Sequence, residues 1–180
     1  MSSARIILLC EDSQTDVFMR RFLRHRRIRG RDITTYPLPA GQQSGEQWVR
    51  ERYPRQLKAI RSRSGVCLIA VIDADTLSTS ERRDQLQAEC ESQGIPPAQP
   101  DDPVLVFVPR RNLETWLAYL DGKEVNERDS YPKLKREGDC ARHANELVRM
   151  CRKEQRLREP APRSLHEACD EYARLTTILR

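Results

Sequence analysis

The sequence predicts an α/β protein: a parallel sheet flanked by helices, followed by a helical C-terminal extension. Three apolar runs of strand length, over residues 5–10, 66–72 and 104–108, are rich in Val, Ile and Leu and carry no alternating polar face. Such runs read as strands buried on both sides, as in a parallel sheet. Each is followed by a stretch with apolar residues at three-to-four spacing, the period of an amphipathic helix. After about residue 120 the strand signal stops and only helical periodicity remains. The expected division is therefore a core over 1–120 and a basic helical extension over 121–180 packed on it.

The first run, Arg5-Ile6-Ile7-Leu8-Leu9-Cys10, ends in Glu11 and Asp12. Ser13 reads as the cap of the next helix, with Asp16 in capping-box position, and Val17, Phe18, Phe22 and Leu23 form its apolar face. Seven arginines lie between positions 20 and 31. Some complement the C-terminal end of the helix dipole; their number exceeds that need and suits a phosphate-binding face. A short strand is expected over 33–38, weakened by Pro37 and Pro39, then a loop over 41–45. The helix expected over 46–61 points Trp48, Val49, Leu57 and Ile60 inward, and Pro54 should kink or split it.

The run Val66-Cys67-Leu68-Ile69-Ala70-Val71-Ile72 leads into Asp73-Ala74-Asp75. Open α/β sheets place ligands at the carboxyl ends of their strands. If the extended geometry continues, alternation points Asp73 and Asp75 to one side. Two unpaired carboxylates repel, and a hard divalent cation such as Mg²⁺ or Mn²⁺ relieves this. A loop in which one Asp caps the next helix and the other faces water also accounts for the pattern. A helix is expected over 78–93, with Ser80, Glu81 and Asp84 in its first turns. The run Val104 to Val108 then leads through Pro109-Arg110-Arg111-Asn112 into a helix with Leu113, Trp116, Leu117 and Leu120 inward. Glu114 lies in its first turn, where an acid is favoured in any case. In the tail, helices are expected over 139–157 and from Ser164 onward, separated by Pro160 and Pro162.

The totals narrow the class. A net charge of +5, a pI near 9.0 and 33% charged residues describe a modestly basic, polar chain. No run approaches the length of a membrane span and no signal peptide is visible. Six cysteines, none in a C-x-x-C pair, match no zinc spacing, so reduced thiols and a cytoplasmic protein are expected.

These residues resemble a family. Ile7-Leu8-Leu9-Cys10-Glu11, with Thr15 and Asp16, is similar to the first Toprim motif, a strand ending in Glu and a helix opening with Thr-Asp. Ile69-Ala70-Val71-Ile72-Asp73-Ala74-Asp75 resembles the Toprim D-x-D motif. Residues 108–117, Val-Pro-Arg-Arg-Asn-Leu-Glu-Thr-Trp-Leu, look like the third block of small stand-alone Toprim proteins related to OLD-type nucleases. The resemblance covers residues 4–120. It implies a Toprim/Rossmann-like sheet, a Mg²⁺ or Mn²⁺ ion held by Glu11, Asp73 and Asp75, and phosphodiester cleavage of DNA or RNA. It assigns Glu114 to an additional acid and Lys133 or Lys135 to a cation acting on the transition state. Arg20, Arg21, Arg24, Arg27, Arg110 and Arg111 would hold the nucleic-acid backbone. The family is often encoded beside an ABC-type or AAA ATPase, and several members act in phage defence, so an ATPase partner is implied; self-association is left open. Where primases and topoisomerases carry Gly after the first Glu, this chain has Asp12, which departs from those branches.

Two rivals stand beside the nuclease. A non-catalytic Toprim-shaped module could bind nucleic acid or an ATPase through its arginines. A response-regulator receiver would use Asp73 as phosphoacceptor, but its Met-Pro and Lys-Pro turns are missing. The metal reading requires Glu11 to stand within about a dozen ångströms of Asp73.

Overall fold

The computed structural model describes residues 4–36, 38, 41, 44–152 and 156–179. Four strands, β1 (Arg5–Leu9), β2 (Ile33–Thr35), β3 (Val66–Val71) and β4 (Val104–Phe107), form one sheet in the order β2-β1-β3-β4. Every neighbouring pair is parallel, with Leu9 opposite Ala70 and Val71 opposite Phe107. Among the described residues six α-helices flank it: α1 (Ser13–Arg24), α2 (Gly45–Arg61), α3 (Thr79–Ser92), α4 (Leu113–Leu120), α5 (Ala141–Cys151) and α6 (Arg163–Ile178).

Strand alternation sorts the core into two layers. Ile6, Leu8, Cys67, Ile69, Leu105 and Phe107 face α1, α4, α5 and α6. Ile7, Leu9, Leu68, Ala70 and Val104 face α2 and α3. Residues beyond 120 complete the first layer: Leu147, Leu165, Tyr172 and Leu175 share a cluster with Phe18 and Phe22 of α1. Tyr172 packs against Phe22 with the rings tilted and their centroids 4.5 Å apart, and the Arg26 guanidinium covers its ring at 4.1 Å.

The edge strand β4 is closed by side chains. The outward N–H of Val106 donates to Glu171 Oε2 at 3.4 Å, and its carbonyl accepts from Arg83 Nη2 at 2.8 Å. Arg174 Nη1 holds Glu171 at 3.1 Å. An exposed edge invites pairing with other chains, and this clasp occupies the groups that would pair. Burial pushes the Glu171 carboxyl up, against the pull of Arg174 and Arg83.

Several local expectations are corrected. Pro54 lies inside α2, yet the helix runs unbroken from Gly45 to Arg61. The burial of Trp48, Val49, Tyr53, Leu57 and Ile60 against the sheet outweighs the one missing hydrogen bond. The cap of α1 is Asp12, which accepts from Thr15 N at 2.8 Å, and that of α3 is Ser78, in a full capping box with Glu81. The cap of α6 is Pro162; Ser164 is buried and accepts from Trp116 Nε1 at 2.9 Å. The strand at Val66 ends at Val71, and Asp75 is left-handed with φ 54°, so extended alternation does not carry from Asp73 to Asp75.

The cysteine expectation fails at one pair. Cys151, at the end of α5, and Cys169, on α6, form a disulfide with Cα atoms 4.8 Å apart. Packing of α5 on α6 brings together two residues whose separation in sequence carries no such signal. The other four cysteines are free and buried. The expected strand over 33–38, loop over 41–45 and helix over 139–157 each fall partly outside the described residues; α5 itself ends at Cys151. Among the described residues no helix is long and apolar enough to cross a membrane.

Candidate active site

The chain leaves β1 for β2 on one side and leaves β3 for β4 on the other. The helices that follow, α1 and α3, pack on opposite faces. The crevice beyond the carboxyl ends of β1 and β3 is thus the topological switch point, where open α/β sheets bind ligands. Glu11 and Asp73 stand at its two lips. The β1–β3 ladder ends at Leu9 and Ala70, and just beyond it the Asp73 N–H donates to Glu11 Oε1 at 2.6 Å.

Both carboxyls are starved of solvent. Glu11 is pushed up to about 7, first by burial and then by the charge of Asp75, against the Asp73 N–H and Arg82. Asp73 is held well above the usual carboxylate range by burial and then by Glu11, Glu114, Asp12 and Asp75. Excess negative charge at this crevice is what a cation would neutralise.

Asp75 is exposed and turned elsewhere. Its carboxylate accepts from Arg82 Nη2 at 3.1 Å, while its backbone N–H donates to Arg111 O at 2.9 Å. Arg82 is buried; it also donates to the Ala74 carbonyl and, at 2.5 Å, to Glu46 Oε1. Arg82 and Glu46 are site residues that the sequence reading missed. Nothing in the spacing of Arg82 on α3 separates it from the other surface arginines. Gly45, at the start of α2, is a third: a Cβ there would stand 2.6 Å from the Glu11 carbonyl oxygen. Only a glycine lets the start of α2 close on Glu11.

A second group stands on the same edge. Glu114, buried on α4, accepts from Gln14 Nε2 at 3.0 Å. Lys133 Nζ lies 3.6 Å from Asp12 Oδ2 and 4.0 Å from Glu114 Oε1. Lys135 is exposed and shares no ion pair with these acids. Arg111, left-handed at φ 62°, donates to Ser130 Oγ at 3.0 Å, and Arg110 lies 3.9 Å from Glu127. The bridge between Asp75 and Arg111 keeps both arginines beside the crevice.

The α1 arginines lie elsewhere. Arg20 is taken up by the fold: it pairs with Asp16 at 2.9 Å and donates to Thr35 Oγ1 at 2.8 Å. Arg21, Arg24 and Arg27 line, with the Arg20 side chain, Val17, Ile28 and Arg29, an open depression of 720 Å³ along α1 toward its C-terminal end.

A divalent cation fits this donor set at two positions and not at the third. Glu11 and Asp73 offer adjacent hard oxygen ligands. Asp75 is held off by Arg82. Among the described residues no three His, Cys, Asp or Glu side chains are grouped to hold a metal ion.

Fold and crevice together define an α/β protein with an acidic switch-point site flanked by Lys133, Arg82, Arg110 and Arg111. Comparison with protein-family models, with curated protein sequences and with solved structures finds no match for the chain.

Proposed function

We propose that the chain is a Toprim-like nuclease of the OLD-related kind, cleaving phosphodiester bonds of DNA or RNA with Mg²⁺ or Mn²⁺. The observation that carries this reading is the Glu11–Asp73 contact at the switch point, two residues 62 positions apart with carboxyls depleted of solvent. Glu11 and Asp73 would hold the cation, with Asp75 joining on release from Arg82. The cation supplies Lewis-acid polarisation of a phosphoryl group. Glu114, buried 4.0 Å from the Lys133 ammonium, would accept the proton of the attacking water, and Lys133 would stabilise charge developing on the phosphoryl group. Arg110 and Arg111 orient the nucleic-acid backbone beside the crevice. An ABC-type or AAA ATPase partner and a role in phage defence belong to the same proposal and rest on the motif resemblance.

The test is plasmid nicking with Mn²⁺ by the wild type and by Glu11→Ala and Asp73→Ala. Loss of nicking by at least 10²-fold in both variants is expected. No nicking by the wild type, with or without a neighbouring ATPase, sinks the reading.

Two observations favour a second reading. The engagement of Asp75 by Arg82 and the lack of a three-carboxylate set among the described residues suit a non-catalytic Toprim-shaped module that binds nucleic acid or an ATPase. Under it, binding persists in Asp73→Ala and no nicking is seen. Labelling of Asp73 by acetyl phosphate would instead point to a receiver.

A further inference from the structure

We infer that Gln14 is a positioning residue that joins Glu114 to the segment bearing Lys133, so that the buried acid and the cation meet at the crevice. The catalytic meaning of this brace rests on the nuclease reading above; the brace itself does not.

Residues 123–136 contain no helix or strand, so single contacts dock this segment on the core: Lys123 N on the Ala118 carbonyl, Glu127 on Ser164 N, Ser130 on Arg111 and, beside Lys133, Leu134 N on Gln14. Gln14 is 5% exposed, and both ends of its amide are used. Nε2 donates to Glu114 Oε1 at 3.0 Å. Oε1 accepts from Leu134 N at 3.3 Å. A carboxylate only accepts and a backbone N–H only donates, so the partners fix which way the amide faces. The neighbouring residue, Lys133, then has its ammonium 4.0 Å from the same Glu114 oxygen and 3.6 Å from Asp12. Gln14 is thus the pivot between α1, α4 and the segment. Serving both partners needs one donor and one acceptor at this reach. Glu supplies no donor when ionised, Lys no acceptor, and Asn is one methylene short.

Two variants separate the two arms. Gln14→Glu keeps the length and an acceptor for Leu134 N but sets a second carboxyl against Glu114, so the two share one proton and Glu114 is no longer a free base. Gln14→Leu loses both hydrogen bonds. Trypsin cleavage after Lys133 and Lys135, followed by mass spectrometry, reads segment docking without reference to activity. Nicking kinetics read the site.

Gln14→Leu is expected to speed cleavage at those two bonds about tenfold, the scale of one lost buried hydrogen bond. Gln14→Glu should keep the wild-type digestion pattern while kcat for nicking falls tenfold or more at unchanged KM. Wild-type digestion of Gln14→Leu, or wild-type kcat in Gln14→Glu, overturns the inference. So does faster digestion of Gln14→Glu, since the retained acceptor would then not be what docks the segment. Absence of nicking in the wild type removes the nuclease reading instead, and proteolysis alone then decides whether Gln14 is the brace.

Discussion

At the scale of single residues, the site is governed by the cost of keeping carboxylates out of water. Glu11 keeps one strong donor, the Asp73 N–H, yet its carboxyl is pushed up to about 7 by burial and by Asp75. The sign of the stability effect follows. Between pH 4.5 and about 7 the folded chain holds a proton that the unfolded chain has released, so stability falls as pH rises through that window. The loss is at most about 3 kcal/mol. In EDTA, the Tm of the wild type should fall from pH 5 to pH 7.5 more than that of Glu11→Gln, which keeps the acceptor for Asp73 N without the charge. Mg²⁺ or Mn²⁺ at pH 7.5 should restore the wild type and leave Glu11→Gln unmoved. Equal pH slopes in the two proteins would show that Glu11 is not strained.

At the scale of elements, each acid owes its place to backbone geometry around it. Glu11 sits where β1 ends and α1 begins, capped by Asp12. Asp75 turns away because the chain adopts a left-handed conformation after β3, and Arg111 mirrors it after β4. Asp tolerates that region better than most residues. The far edge of the sheet needs protection of another kind, and the clasp on Val106 supplies it. Glu171→Ala should remove the acceptor for Val106 N, leave Arg174 without its carboxylate and leave Arg83 with Glu167 alone, at a cost of about 1–3 kcal/mol. Lower Tm and increased light scattering on heating are expected, with Glu171→Gln, which retains an acceptor, milder. Unchanged scattering in Glu171→Ala would mean that the edge needs no such guard.

At the scale of the whole molecule, the basic residues expected to meet a nucleic acid fall into two groups. Arg110, Arg111 and Lys133 flank the crevice, whereas Arg21, Arg24 and Arg27 line a depression along α1 toward its C-terminal end. A twelve-residue helix is about 18 Å long, so a polyanion touching both groups must extend over about five base pairs. Binding of duplexes longer than this should show the steeper salt dependence. Arg21→Ala with Arg24→Ala should lower the slope of log K against log salt by about 2 for long duplexes and leave short ones unchanged. Arg20→Ala belongs to a different class, since its partners are Asp16 and Thr35, and should chiefly lower Tm. A slope insensitive to the double substitution would remove the depression from any nucleic-acid path.

What could be read in the chain itself was whatever depends on local pattern. Buried strands β1, β3 and β4 show as apolar runs because both faces of a parallel sheet are covered, and the helices show as 3.6-residue periodicity. That three strands end at or near acids was equally visible, and parallel pairing carries Glu11 to Asp73. Two caps shifted, from Ser13 to Asp12 and from Ser164 to Pro162, because several neighbouring residues can open a helix and only the backbone chooses between them. The union of Cys151 with Cys169, the turning of Asp75 to Arg82, the approach of Gly45 to Glu11 and the double use of Gln14 had no local signature. Each joins segments far apart in the chain or a backbone angle set by its surroundings, and such contacts exist only once packing has fixed where every element lies.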